Sequence, residues 1–199
     1  GDAGTSFDDA ERPGFTSKGN FRNHLSCILL GTLEDNDIPT HFLRPGGADT
    51  SIVSPTVPFP LDVICRRAAA GGFASRMGLR DGGFLPFTLV EFKVSAAPAG
   101  RSEIKTITEG HVKVMQSRAL AAVRVLSDFL LGKGIVLAEI RLGFGRDRAG
   151  IIRINSEVSP DCCRMWERAE YEKPDRDRFR TETGSNEESY KRAARMLTD

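Results

Sequence analysis

The sequence has no apolar run approaching the ~20 residues that cross a bilayer as a helix. Its opening residues do not read as a secretory leader. An excess of one charge is missing too: 28 Lys and Arg stand against 27 Asp and Glu, a net charge of +1. That balance gives no general attraction for nucleic acid or a membrane surface, although a local basic pocket for a phosphorylated metabolite is compatible with it. The four cysteines, at 27, 65, 162 and 163, form no CxxC pair and no evenly spaced framework. Neither a disulfide scaffold nor a zinc site is indicated, and reduced thiols in a cytoplasmic protein are the simplest expectation. No two of His24, His41 and His111 have metal-ligand spacing, so each reads as structural or surface-exposed. Walker A, GxSxG and GxGxxG motifs in a fitting context are absent, and so are internal repeats.

What is present suits a globular protein of one generous domain or two closely packed lobes. Residues 1–18, punctuated by Gly4, Pro13 and Gly14, read as loop. Phe21, Leu25, Ile28, Leu29 and Leu33 recur at helical spacing and predict an amphipathic helix over 20–36. Extended segments are expected at 41–44, 50–54, 61–65 and 85–94, with a proline-bearing spacer (Pro55, Pro58, Pro60) and a small, glycine-rich stretch at 68–78. The clearest helix spans 112–131 and ends at Gly132-Lys133-Gly134. A hairpin is predicted from 135–144 and 150–156, followed by charged, irregular chain to about 186 and a last helix over 187–197. Helices and strands do not alternate strictly, so the expected class is α+β rather than a doubly wound sheet.

Chemistry-bearing residues are densest between 137 and 180. Alternation on the first hairpin strand puts Glu139, Arg141 and Gly143 on one side, and Glu157, Asp161 and Arg164 follow the partner strand. Acids beside an arginine suit a metal-nucleotide and an anionic substrate; an exposed hairpin with solvated ion pairs is the alternative. Asp175-Arg176-Asp177-Arg178-Phe179-Arg180 is either a solvated charged face or a set of guanidinium clamps for carboxylate or phosphate. Arg66-Arg67, beside the glycine-rich stretch, could serve the same end.

These pieces stand in one order. IIRINSEVSPDCCRMW at 151–166 resembles a segment of the SAICAR synthetase family built on an acid, Glu, a variable residue, Ser-Pro-Asp and then Arg before Trp. DRDRFR at 175–180 is similar to the family's Asp-Lys-Asp-x-Phe-Arg, and DAGTSFD at 2–8 to its Asp-x-x-Ser-Ala-Phe-Asp loop. Lys18-Gly19, Ile38-Pro39-Thr40-His41, the strand and turn at 61–78, and Val90-Glu91-Phe92-Lys93 follow in family order. The resemblance covers nearly the whole chain, and SPD-x-x-R-x-W followed by DRFR is its specific part.

The resemblance implies an α+β, two-lobed fold: residues 1–95 as the rest of the N-terminal lobe with substrate loops, and 96–199 as a helix–hairpin–helix lobe. It implies a carbon–nitrogen ligase of purine or purine-like biosynthesis that uses ATP and Mg2+ to join L-aspartate to a carboxylated aminoimidazole ribonucleotide. Carried over by position, Arg66, Asp161, Arg164, Arg176 and Arg180 hold the substrates, with Arg66, Asp161 and Arg164 at the catalytic centre. Asp8 and Lys18 belong to the substrate-side loop, Glu139 and Arg141 to the nucleotide, and Glu139 and Glu157 to the metal. A homo-oligomer is compatible with it.

The chain also departs from the family pattern, mostly on the nucleotide side. The family strand Asp-x-Lys-x-Glu-Phe-Gly reads Glu139-Ile140-Arg141-Leu142-Gly143-Phe144-Gly145 here, and the acid before Glu157 is Ser156. Arg176 replaces a lysine, Gly72 a serine and Arg67 an asparagine. The family's glycine- and lysine-containing hairpin over the ATP phosphates has no counterpart in the sequence, which starts Gly1-Asp2-Ala3 without Met and is expected to begin inside a longer product. Loss of two carboxylates from one magnesium site leaves a second expectation open: a paralogue without ATP chemistry that binds an anionic metabolite or performs another reaction.

Overall fold

Phe21, Leu25, Leu29, Leu30 and Leu33 form the buried stripe of helix α1 (Lys18–Glu34). The computed structural model describes residues 18–95, 107–168 and 187–198. Asp37 ends the helical path with φ 59, and the Ile38 N–H returns to the Leu33 carbonyl at 3.0 Å. Strands β1 (Phe42–Pro45) and β2 (Ser51–Val53) then pair across the Gly46-Gly47 turn.

A five-stranded sheet follows: β3 (Val57–Ala68), β4 (Phe84–Val94), β5 (Ile135–Arg146), β6 (Ile152–Ile154) and β7 (Cys163–Glu167). The path runs β4-β3-β5-β6, with β7 also on β5, and every pairing is antiparallel. Helix α2 (Gly71–Met77) links β3 to β4, and α3 (Glu109–Gly132) precedes β5. The last helix is α4 (Glu187–Thr198). The α+β class is as the sequence predicts, and residues on both sides of position 95 share the one sheet.

Two details differ from the sequence reading. Strand β3 is 12 residues long and takes in Pro58 and Pro60, which the reading placed in a spacer. Its pairing with β4 spans Leu61 to Ala68, and its register with β5 shifts between Pro58 and Asp62, so neither proline has to donate to a regular ladder. Residues 163–167, expected to be irregular, form β7. Five residues carry too little alternation to announce a strand, and pairing with β5 supplies the order.

One face of the sheet is the core side. Val63, Cys65, Ile140 and Leu142 point to α3, whose Met115, Ala119, Val123, Leu126 and Leu130 are buried against them. Helix α1 packs on α3 and on α4, which contributes Tyr190, Ala193, Ala194 and Leu197. The Thr108 hydroxyl accepts from the His111 N–H at 3.2 Å, and His111 Nδ1 accepts from the Thr108 N–H, a reciprocal cap that starts α3. His111 is thus structural.

Leu126 has no accessible surface and sits between α3 and the sheet. Leu126→Ala is expected to cost about 2–5 kcal/mol, and Thr108→Ala about 1 kcal/mol, both read from urea-induced unfolding.

Candidate functional site

The face of the sheet opposite α3 is polar, and strand register says which residues share it. On β3 and β5, Asp62 stands opposite Gly143, Ile64 opposite Arg141 and Arg66 opposite Glu139. On the other side of β3, Lys93, Glu91 and Leu89 of β4 stand opposite Asp62, Ile64 and Arg66. Strand β7 adds Arg164 opposite Glu139. Directly opposed residues point the same way, so Arg66, Glu139 and Arg164 form one row across three strands.

The centre of the row is an ion-pair knot. Arg66 is 7% exposed. Its Nε lies 2.7 Å from Glu139 Oε2, and its Nη1 pairs with Glu91 Oε2. The guanidinium also lies over the Phe73 ring of α2, 4.8 Å from the centroid. Three strands and a helix therefore meet on one charge. Arg164 reaches the start of α2: a Cβ on Gly71 would stand 3.5 Å from its Nη2. Gly71 has φ +52, where a side chain is strained, and its N–H donates to Asp81 Oδ1 at 2.8 Å. The backbone at α2 thus comes close to a buried arginine and a second guanidinium, an arrangement suited to a phosphate or carboxylate.

A second cluster surrounds the SPD turn. One edge of β5 pairs with β7 at Glu139 and Ile140 and with β6 from Phe144. Between them the Arg141 N–H donates to the Cys162 carbonyl, and the Asn155 N–H to that of Gly143. Residues 156–162 are thus an excursion whose two ends are fixed to one strand. Inside it, Ser159 Oγ accepts from the Asp161 N–H, Cys162 Sγ from the Ser159 N–H, and Ser26 Oγ of α1 from the Val158 N–H at 3.1 Å. Helix α1 adds the cations. Lys18 Nζ is 3.1 Å from Asp161 Oδ1, Arg22 Nη1 is 3.6 Å from Asp161 Oδ2, and Arg22 Nε is 3.4 Å from Glu157 Oε2. Burial opposes ionisation of Asp161, but the Tyr190 hydroxyl, Lys18 and Arg22 outweigh it and hold its carboxyl below the ordinary 3.8. Burial first, then Asp161, pushes the Tyr190 phenol up, so it stays protonated.

The candidates from the sequence fall into these two groups: Arg66, Glu139, Arg141 and Arg164 on the sheet face, and Lys18, Glu157 and Asp161 at the turn. Asp8, Arg176 and Arg180 lie outside the described residues. The adjacent Cys162 and Cys163 are free thiols, as are Cys27 and Cys65; burial pushes Cys65 up to about 12 and keeps it inert. Asp62, Glu91, Arg22 and Asn155 have no site role in the sequence reading, although Glu91 and Asn155 lie in its motifs. The period-2 spacing of Asp62 with Arg66 was a usable signal, but which acid opposes which arginine depends on register.

Magnesium, which the resemblance implies, wants oxygen ligands. Glu139 is committed to Arg66 and Glu157 faces Arg22, and among the described residues no three His, Cys, Asp or Glu side chains gather. The donors around Gly143 are oxygens of another kind. A Cβ there would lie 3.3 Å from Asn155 Oδ1 and 3.2 Å from Ser156 Cβ, and Ser156 Oγ accepts the Gly143 N–H at 2.9 Å. With Asp62 opposite, this set fits a cation that takes its remaining ligands from phosphate and water.

A family model described as SAICAR synthetase matches residues 1–197. The phosphoribosylaminoimidazole-succinocarboxamide synthase of Coprothermobacter proteolyticus is 36% identical, over 98% of this chain and 86% of that protein. Among solved structures, a SAICAR synthetase (Type-2) in complex with ADP superposes with a TM-score of 0.79 at 32% identity, covering 92% of this chain and 82% of that one. The Type-1 structure of SAICAR synthetase from Pyrococcus horikoshii OT3 gives 0.77 at 31%, with coverages of 91% and 83%.

The charges around Asp161 set a test of the turn. Its depressed folded-state pKa contributes stability that is present above 3.8 and lost as pH falls through the lower folded value. Asp161→Asn is therefore expected to be less stable than the parent at neutral pH. The two unfolding curves converge in acid, which denaturant titrations at stepped pH will show.

Proposed function

The chain belongs to the SAICAR synthetase family of carbon–nitrogen ligases, and on that footing we propose that it is an ATP-dependent, amide-forming enzyme of purine or purine-like biosynthesis. It joins L-aspartate, or a related amine, to a carboxylated aminoimidazole ribonucleotide. The observation that carries this reading is the row Arg66–Glu139–Arg164, with the start of α2 at one end. A structural relative is in complex with ADP, which supports a nucleotide substrate.

A carboxylate is a poor acyl donor, because its leaving group would be an oxide. Transfer of the γ-phosphoryl group to a carboxylate oxygen forms an acyl phosphate and releases ADP. The amine nitrogen then attacks the acyl carbon, the C–O bond to phosphate breaks, and the nitrogen gives up its proton as the amide forms. The protein's task is mainly placement and charge compensation. Arg164, with its fork against Gly71, is assigned to the anionic groups of the ribonucleotide. Arg66 is the positioning residue: its charge is already shared by Glu91 and Glu139, so it fixes the strands between which the ligand sits. Lys18 of α1 and Asp161 of the turn, paired at 3.1 Å, form a second wall, and Arg141 offers a guanidinium to the nucleotide phosphates. A bound magnesium ion would supply further compensation of phosphate charge, with oxygen ligands from the cluster around Gly143. Arg176, Arg180 and Asp8 keep the substrate roles that the resemblance implies.

One observation favours a second reading. Gly143 and Ser156, where the family pattern has acids, are neutral and hydrogen-bonded to each other, as in a paralogue that keeps the anion pocket without ATP turnover. Incubation with ATP, L-aspartate and the carboxylated ribonucleotide separates the two. Release of ADP and a new amide that needs all three components is the expected result. No ADP release, from folded protein that still binds the ribonucleotide, favours the second. In the active case, Arg164→Ala is expected to lower kcat/KM by about 100-fold or more while its thermal midpoint stays near that of the parent.

A further inference from the structure

Helix α4 buries Tyr190, Ala193, Ala194 and Leu197, the i, i+3, i+4, i+7 stripe of a core-facing helix. Tyr190 is the one polar member of that stripe. It has no accessible surface, and its hydroxyl oxygen is covered as well. A buried phenol usually finds a hydrogen-bond partner, and phenylalanine would fill the same core position without needing one. Among the described residues no well-aligned partner meets this hydroxyl. It lies beside the Asp161 carboxylate and the Ser159 side chain of the SPD turn. The face of the ring is occupied too. Lys18 Nζ stands 5.1 Å from its centroid, and the same nitrogen is 3.1 Å from Asp161 Oδ1. Both members of the Lys18–Asp161 pair therefore border one buried side chain. The helix that carries it is fastened on two sides: Arg192 pairs with Glu167 at the end of β7, the strand of Arg164, and Lys191 Nζ lies over the Phe21 ring of α1.

We propose that Tyr190 is a positioning residue for substrate placement: its ring seats the Lys18 ammonium and its hydroxyl fixes the Asp161 carboxylate, so the last helix takes part in the site. The inference rests on the ligase reading above and adds a residue to it. Lys18 and Asp161 keep 47% and 34% of their side-chain surface accessible, whereas Tyr190 approaches them from the core. A ligand thus meets the pair on its open side, with Tyr190 left in place behind it. An ammonium is a compact charge with three rotatable donors and fixes direction poorly; a ring beneath it and a hydroxyl beside its partner restrict both groups. A neutral donor also orients the carboxylate without adding to the positive charge that Lys18 and Arg22 already bring to it. Hydrogen bonds that serve turnover are often long or misaligned in a free enzyme and tighten in the complex. An unclosed hydroxyl beside a carboxylate has that character.

The test is a cycle of four proteins: the parent, Tyr190→Phe, Asp161→Asn and the double variant. Phenylalanine keeps the ring under Lys18 and removes only the hydroxyl. Amide formation from ATP, L-aspartate and the carboxylated ribonucleotide is followed under single-turnover conditions, beside each thermal midpoint. Tyr190→Phe alone is expected to lower the rate about tenfold while its thermal midpoint stays near that of the parent. On top of Asp161→Asn the same change is expected to cost less than about twofold, because the carboxylate that the hydroxyl would hold is gone. An equal loss in both backgrounds overturns the assignment, since a residue that only packs acts independently of Asp161. So does a Tyr190→Phe protein with the parent's rate, or one whose lost rate follows a lowered thermal midpoint. If Asp161→Asn forms no amide, the cycle is read from calorimetric affinity for the carboxylated ribonucleotide, with non-additive losses supporting the assignment and equal losses overturning it. A parent that forms no amide from the three components removes the ligase reading itself, and the role in substrate placement with it.

Discussion

One buried guanidinium sets the geometry of the polar face. Arg66 lies between Glu91 of β4 and Glu139 of β5 under the Phe73 ring. Taking a charge out of water costs several kcal/mol, and its attraction to its partners repays that cost only when the contacts are close. A slip of β3 by one residue would send Arg66 to the core side, toward Val63 and Cys65, and leave both acids unpaired. The pair of acids therefore fixes register more strictly than the apolar alternation alone. Every other position on the face, from Asp62 to Arg164, inherits its place from that constraint.

The other organising feature is the shared edge of β5. Strands β6 and β7 both pair with it, and the chain between them leaves and returns within a few residues. A turn pinned at both ends can carry strongly polar residues without drifting. The Ser26 hydroxyl ties it to α1, so the basic side chains of that helix reach Asp161 and Glu157. Core packing of α1 against α3 and α4 thus becomes charge placement at the turn.

Membership of the family sits beside local rearrangement. The arginine row and the SPD turn match the family pattern, whereas Gly143, Ser156 and Arg141 depart from it. The departures are mutually consistent. Gly143 and Gly145 leave room for Asn155, whose amide nitrogen donates to Thr56 Oγ1, while the Ser156 hydroxyl accepts from the Gly143 N–H. A side chain at 143 would crowd Asn155 and Ser156, so these positions behave as a set.

Much was legible in the residues alone. Helical spacing gave α1, α3 and α4 because each buries one stripe, and Leu29, Leu126 and Leu197 all lie where periodicity puts them. The motif order gave the family and most of the polar residues of the site. Strand β7 was hidden because five residues carry little pattern, and the prolines of β3 masked a strand that the irregular register accommodates. Asp62, Glu91 and Asn155 were hidden for a different reason. The chemistry of a charged side chain is written in the sequence, but whether it is neutralised, paired or left open depends on which strand lies opposite. That is fixed only when β3, β4 and β5 assemble, since opposed residues are brought together by cross-strand hydrogen bonds between segments that are tens of residues apart.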